Sequence, residues 1–125
     1  QLVSWEAAKL LKEKGFDIPT SYVYNEEGRV GRSFGDYDWN HSEVRSISYA
    51  SASSQSLVQK WLREKHNLFV QPFCNASGWA WQIDKCDGTF IKWSDNAGWK
   101  WDTYEEALEC GIIEALKLCK QLNNI

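Results

Sequence analysis

Apolar side chains recur at three- and four-residue steps near the end of the chain, from Thr103 to Leu122, which is the period of a helix. Thr103 and Glu106 fit a capping box at its start, in which each side chain accepts from a main-chain N–H group of the other residue. Glutamates cluster near the start of this stretch and lysines near its end, so the charges complement the helix dipole. The pattern predicts a helix and carries no signature of a particular chemistry.

The same spacing predicts two further helices. The first extends from the N-cap Ser4 to Lys14, and Gly15 is expected to end it in a left-handed conformation. The second follows the serine-rich joint 51–54 and runs to about Lys65. Both helices are amphipathic, so each needs an apolar surface to cover.

Alternating apolar and polar residues predict strands between the helices. The clearest β pattern lies in the second half, where turn residues separate short alternating segments. A hairpin is predicted nearer the N-terminus and is followed by an irregular loop at 35–43. The predicted strands are 21–24, 29–34, 44–50, 68–74, 78–84, 89–94 and, with a shorter pattern, 99–102.

Five of the eight tryptophans lie in the strands of the second half, at positions 79, 81, 93, 99 and 101. Alternation places all five on the apolar face of their strand, whereas Phe90 and Lys92 fall on the polar face. Because two helices need an apolar surface, we expect the tryptophans to form the core; stacking on a ligand is the alternative.

These patterns predict an α+β fold in a single domain, 1–125. Residues 1–50 hold the N-terminal helix, a β-hairpin and a loop, and residues 51–125 hold a helix, an antiparallel three- to four-stranded sheet and a helix. The second and third helices are expected to pack on the tryptophan-rich face of the sheet. A chain of 125 residues is long enough to bury such a core.

Charge and composition limit the kinds of molecule that we expect this protein to bind. The hydrophobic fraction of 43% is typical of a globular protein, and the net charge of −3 argues against nucleic acid and against an anionic membrane. No apolar run is long enough to span a bilayer and no signal-peptide pattern opens the chain, so we expect no transmembrane helix and no membrane partner. The sequence contains no Met, so a removed leader is the alternative.

The four cysteines, Cys74, Cys86, Cys110 and Cys119, form no C-x-x-C pair, and neither histidine lies at metal-ligand spacing from any of them. Buried free thiols in a reducing compartment are therefore the favoured interpretation. A disulfide or a zinc site is the alternative. No cofactor is predicted.

One acidic loop starts like a calcium-binding loop, with Asp36, Asp38 and Asn40 at alternate positions. His41 stands where the EF-hand pattern requires Gly, and the bidentate Glu is missing at the last position of the loop. A solvated acidic turn is the favoured interpretation. A weaker cation site that uses Asp36, Asp38 and Glu43 is the alternative.

No phosphate-binding, dinucleotide-binding, nucleophile-elbow or metalloprotease motif occurs in the sequence. His41 is followed by Ser42 and Glu43, which are the residue types of a hydrolase, but neighbours in sequence do not have triad geometry. A hydrolase is therefore the least favoured of three functions. No catalytic residue is assigned.

The leading hypothesis is a non-enzymatic interaction module that binds a protein partner or itself. Its basis is the lack of catalytic motifs together with apolar residues outside the main stripe of the last helix, Ile113, Leu116 and Leu118. The alternative is a binder of a small ligand, a carbohydrate or single-stranded nucleic acid that uses exposed aromatic residues. The candidate binding residues are Tyr37, Trp39, His41, Phe90 and Lys92.

Three helical stretches carry a family resemblance: the run from Ala7 to Phe16, the run from Leu57 to His66, and the run from Tyr104 through Leu118. Together they resemble small uncharacterised proteins encoded by phages and mobile elements of gut bacteria. The second half is also loosely similar to the phage α-β-α sandwich domain. The resemblance implies a cytoplasmic accessory protein and brings no known catalytic or binding residues.

Overall fold

The computed structural model describes residues 1–38, 40, 49–94 and 101–119. In this part of the chain it contains three helices and two antiparallel sheets of three strands each, which confirms the α+β fold. The elements are α1 (Trp5–Glu13), β1 (Thr20–Tyr24), β2 (Val30–Tyr37), β3 (Ala50–Ser51), α2 (Gln55–His66), β4 (Leu68–Asn75), β5 (Gly78–Lys85), β6 (Phe90–Trp93) and α3 (Tyr104–Leu118).

Each helix begins at the hydroxyl side chain that the sequence predicts as its N-cap. Ser4, Ser54 and Thr103 accept from main-chain N–H groups three residues later, at 3.1–3.2 Å. After α1, Gly15 adopts a φ of 88° and the N–H of Phe16 donates to the carbonyl of Leu11 at 3.0 Å. Local sequence chemistry therefore sets these helix ends.

The first sheet has the strand order β2-β1-β3, with β1 at its centre. The predicted hairpin is confirmed as β1 and β2, and Gly28 in its turn has a φ of 82° with the ring of Trp5 against it. The predicted strand 44–50 lies outside the described residues except for its last two positions. Its end, Ala50, starts β3 and pairs with Tyr24.

The second sheet has the order β4-β5-β6, and α3 packs across β4 and β5. Gly111 makes the closest approach, because a Cβ there would lie 2.8 Å from Val70 Cγ1 and 3.1 Å from Trp81 Cβ. The predicted fourth strand is reduced, within the described residues, to a bridge between Trp79 and Trp101 with N···O distances of 2.8 and 3.4 Å. The helix backbone at Gly111 thus lies close against the Val70 and Trp81 side chains of the sheet.

A single cluster of buried side chains joins the three helices to the second sheet. Its largest fully buried members come from the three helices, from β4 and β5, and from the residues beside α1. They are Val3, Leu11, Phe16, Val58, Leu62, Val70, Ile83, Leu108, Ile112 and Leu116. Helix α3 also contacts α1 and α2, so it is the element around which the core is arranged.

The expectation that the strand tryptophans share the core face is correct for Trp81, which is 4% exposed, and wrong for Trp93. Trp93 pairs with Gln82 and lies on the opposite face, 39% exposed. A bulge at Ile91 causes the difference, because one extra residue in a strand exchanges the faces of the residues beyond it. Trp99 lies outside the described residues.

Glu109 ties the start of α1 to the middle of α3. Its carboxylate accepts from the Ser4 N–H at 2.9 Å, from the Ser4 hydroxyl at 2.6 Å and from the Gln55 amide at 3.1 Å.

Glu109→Gln is expected to lower the free energy of unfolding by about 1–3 kcal/mol, since a glutamine side chain cannot accept all three of these hydrogen bonds. Glu105→Gln, which removes the same charge without these hydrogen bonds, is the control. Equal denaturation midpoints for the two variants would contradict this role.

Candidate binding face on the second sheet

One face of the second sheet is covered by α3, and the other exposes aromatic side chains. On that second face Phe69 is 36%, Trp93 39% and Phe90 56% exposed. Burial of large aromatic side chains is a strong source of folding and binding energy, so three exposed rings on one face are unusual for a structural surface. This face is the candidate binding site.

Strand pairing brings these residues together. Phe69 lies opposite Asp84, Asp84 lies opposite Phe90, and Gln82 lies between Gln71 on one neighbouring strand and Trp93 on the other. Residues directly opposite one another in a sheet share a face. We call this set the open face: Phe69, Gln71, Gln82, Asp84, Phe90 and Trp93. Ala80 lies on the same side of the sheet but is fully buried, so the exposed surface does not extend to it.

The polar centre of the open face is already satisfied. Gln82 Nε2 donates to Asp84 Oδ1 at 2.9 Å and to Oδ2 at 3.2 Å, and Gln71 Nε2 donates to Oδ2 at 3.2 Å. The Asp84 residue is only 8% exposed. The open face therefore presents aromatic rings around a carboxylate that is held by two amides. None of the six described residues that define it is basic.

The prediction that Lys92 shares a face with Phe90 is wrong. Lys92 pairs with Ile83 on the helix-covered side, where its ammonium lies 2.9 Å from Glu114 of α3. The bulge at Ile91 is again the reason. Lys117 also contacts Glu114, at 3.2 Å. The hydrogen bond from Lys92 is the main cause that lowers the pKa of the Glu114 carboxyl, so this ion pair is charged at neutral pH.

A cavity of about 250 Å³ lies between β6, Trp101 and α3. It combines indole rings with the ion pair just described. Its described lining residues are Trp81, Lys92, Trp93, Ser94, Trp101, Cys110 and Glu114. Ser94 helps to shape it where β6 leaves the sheet, because its hydroxyl accepts from the Trp81 N–H at 3.2 Å. Trp93 belongs both to this cavity and to the open face.

Of the three remaining predicted binding residues, only Tyr37 is described, and it does not lie on this face. Tyr37 ends β2 in the first sheet and pairs with Thr20. Trp39 and His41 lie outside the described residues, as does Glu43. In the described part of the acidic loop, Asp38 Oδ1 accepts from the Asn40 N–H at 3.2 Å, and no group of three potential metal ligands occurs among described residues.

The four cysteines are free thiols, but only one is buried. Cys119 is buried and donates to the Ala115 carbonyl at 3.4 Å, and burial raises the pKa of its thiol to about 11. Cys74 and Cys86 are exposed, which corrects the expectation of buried thiols, and Cys110 is half-buried. Cys119 therefore stays protonated at neutral pH and has a packing role.

The apolar residues that suggested an interface on the last helix belong mainly to the core. Leu116 is fully buried, and Ile113 is partly buried and packs against the core cluster. Of the three, Leu118 alone is strongly exposed, at 45%. Among the described aromatic residues, the most exposed is Phe90 on the second sheet. The sequence signal for part of the aromatic exposure on this sheet is the alternation of Phe69, Gln71 and Phe73 along one strand.

His66 lies at the end of α2 in a cavity of about 590 Å³ that also includes Leu118 and Cys119. Its ring packs edge-on against Trp61 at 4.7 Å. Burial, and then the positive charge of Lys14, lower the pKa of His66 from its ordinary 6.5. The unfolded chain therefore binds this proton more readily than the folded chain does.

This shift gives stability a defined pH dependence. The free energy of unfolding should fall as the pH is lowered through 6.5, the ordinary His66 pKa, because protonation favours the unfolded chain. Chemical denaturation at pH about 7.5 and about 5.5 measures this fall, and His66→Gln is expected to make it smaller. An unchanged fall in the variant would show that other groups cause it. The Glu114 carboxyl stays ionised over this range because its pKa is lowered.

Comparison with known proteins gave no matching family model, no matching curated protein and no matching solved structure. The open face and its neighbouring cavity are therefore the features of the molecule that bear on its function. None of the helices in the described part of the chain combines the length and apolar character needed to cross a bilayer.

Proposed function

We propose that the protein is a non-enzymatic interaction module that associates with a second copy of itself through the open face of the second sheet. The observation that carries the proposal is the exposure of Phe69, Phe90 and Trp93 on one side of adjacent strands. Aromatic residues are enriched at interfaces because they bury a large area with little loss of side-chain freedom. A phage or mobile-element origin belongs to the same proposal and rests on the helix patterns of the sequence.

Two properties of the open face favour a second copy as the occupant. Packing of two sheets face to face is a common way to bury apolar sheet surfaces, and a two-fold axis would place identical rings against each other. The face also contains one ionisable side chain, Asp84, which is nearly buried and accepts three hydrogen bonds. Stacking two copies therefore adds no exposed charged side chain to the contact, and the Asp84 carboxylate keeps its hydrogen bonds to the two amides.

The size of the open face determines how strong the self-association is expected to be. Three strands about 4.8 Å apart and four residues of about 3.3 Å each give a footprint of roughly 14 by 13 Å. This is well below the ~800 Å² that each partner contributes to a stable interface. We therefore expect weak, reversible association, with a dissociation constant of about 100 µM or higher.

The self-association proposal is tested by sedimentation velocity over a concentration series. The weight-average sedimentation coefficient should rise between about 10 µM and about 1 mM and approach the value of a dimer. Moderate salt should change it little, because the contact is apolar. A coefficient that remains that of a monomer up to the highest concentration would overturn the proposal.

We place the protein in the cytoplasm within the same proposal. The exposed thiols of Cys74 and Cys86 support this placement, because unpaired exposed thiols persist in a reducing compartment.

A further inference from the structure

The cavity beside β6 has two kinds of wall. Three tryptophans, Trp81, Trp93 and Trp101, supply aromatic surface, and the Lys92–Glu114 ion pair supplies one donor group and one acceptor group. Binding sites for small molecules typically combine apolar and aromatic walls with a few fixed polar groups in this way. The cavity therefore has the composition of a ligand site, and it shares Trp93 with the interface proposed for the open face.

Charge limits the class of ligand. Among the described residues that line the cavity, Lys92 and Glu114 are the charged ones, and they form an ion pair, so their charges compensate one another. An anion would face the Glu114 carboxylate, and a cation would face the Lys92 ammonium. A purely apolar ligand would displace the water around the ion pair and could not replace the hydrogen bonds that this water makes. A neutral ligand with hydroxyl groups avoids all three penalties.

Size limits the ligand further. A volume of about 250 Å³ is smaller than the cavities of about 300–1,000 Å³ that hold drug-sized molecules. At roughly 30 Å³ per water it corresponds to about eight waters, which is the room of one six-membered sugar ring and not of two. The C–H groups of such a ring can pack on an indole face while its hydroxyl groups donate to a carboxylate and accept from an ammonium.

We propose that this cavity binds a single neutral sugar ring between its tryptophans and the Lys92–Glu114 pair. The binding is non-covalent, and the site is separate in function from self-association. Among the described residues, Trp93 is the one that the cavity shares with the open face. Ligand binding and self-association can therefore be tested with substitutions that leave Trp93 unchanged.

The test uses four probes on the full chain: glucose, galactose, mannose and N-acetylglucosamine. In ¹H–¹⁵N correlation spectra, the indole N–H signals of Trp81, Trp93 and Trp101 should shift in a saturable way with at least one sugar. The signal of Trp5, which lies on α1 away from the cavity, should stay in place. Titration with indole as an apolar aromatic probe should give no comparable saturation.

Variants locate the site. Cys110→Leu fills the cavity and should weaken sugar binding at least tenfold. Glu114→Gln, which changes no volume, should weaken it several-fold and keeps the test valid if the first variant is unstable. The double variant Phe69→Ser/Phe90→Ser should lose self-association and retain sugar binding, so failure of one proposal is distinguishable from failure of the other. Absence of saturation with all four sugars would overturn the inference. So would sugar binding by both Cys110→Leu and Glu114→Gln that is as strong as that of the original protein.

Discussion

Replacement of Gly111 by leucine is expected to destabilise the protein by at least about 3 kcal/mol, at or beyond the upper end of the usual overpacking range. The first carbon of any side chain at this position would meet Val70 Cγ1 at 2.8 Å and Trp81 at 3.1–3.2 Å. These atoms belong to two neighbouring strands and are held by the core cluster, so they cannot move away independently. The leucine branch would push α3 off the sheet.

The size series at Gly111 separates packing from helix propensity. Alanine gains about 1 kcal/mol of helix propensity over glycine, which should offset part of the clash, whereas leucine adds four carbons to the same contact. Gly111→Ala is therefore expected to be mildly destabilising and Gly111→Leu severely so. Urea denaturation followed by tryptophan fluorescence measures both free energies.

Gly31 offers a matched control, since a Cβ there has no atom within 4 Å. Gly31→Leu on the exposed strand β2 should change the free energy of unfolding by less than about 1 kcal/mol. If Gly111→Leu were as stable as Gly31→Leu, α3 could not lie as close to β4 and β5 as the structure shows.

Replacing Phe69 and Phe90 by serine is expected to weaken self-association at least about 100-fold, because each ring is a central aromatic contact of the proposed interface. Both side chains are exposed, at 36% and 56%, and are absent from the core cluster. The free energy of unfolding should therefore change by only about 1 kcal/mol. Sedimentation velocity gives the first quantity and urea denaturation the second.

Leu118→Ser is the control for this pair of substitutions. Leu118 is 45% exposed on α3, so its replacement also removes an exposed apolar side chain, but on another surface. It should leave the dissociation constant within about twofold of the original value. Loss of association in Leu118→Ser, with retention in Phe69→Ser/Phe90→Ser, would move the interface to the last helix.

The features that the sequence predicts correctly depend on nearby residues. The caps at Ser4, Ser54 and Thr103 and the glycine stop after α1 are decided within a few residues, and all four occur as predicted. The capping box differs in one detail, because the Glu106 carboxylate accepts from the Thr103 hydroxyl at 3.1 Å. Amphipathic periodicity also identifies α3 as the helix that packs on the second sheet.

The features that the sequence misses depend on pairing across the chain. Alternation assumes an unbroken strand, and the bulge at Ile91 breaks this assumption, so Lys92 and Trp93 exchange faces. The division of the strands into two sheets is set by packing between distant segments, which no local pattern contains. The Asp84 network likewise forms only when three strands align, although the alternation of Phe69 and Gln71 along β4 could have indicated its aromatic border.

The most direct test of the interface is a mixed sample in which one half of the protein is isotopically labelled and the other half is not. Filtered NMR experiments on this sample detect contacts between the two copies only. The account predicts cross-peaks between aromatic protons of Phe69, Phe90 and Trp93 in one copy and open-face side chains in the other. Cross-peaks confined to Leu118 and the end of α3, or none at a concentration where sedimentation shows dimer, would contradict it.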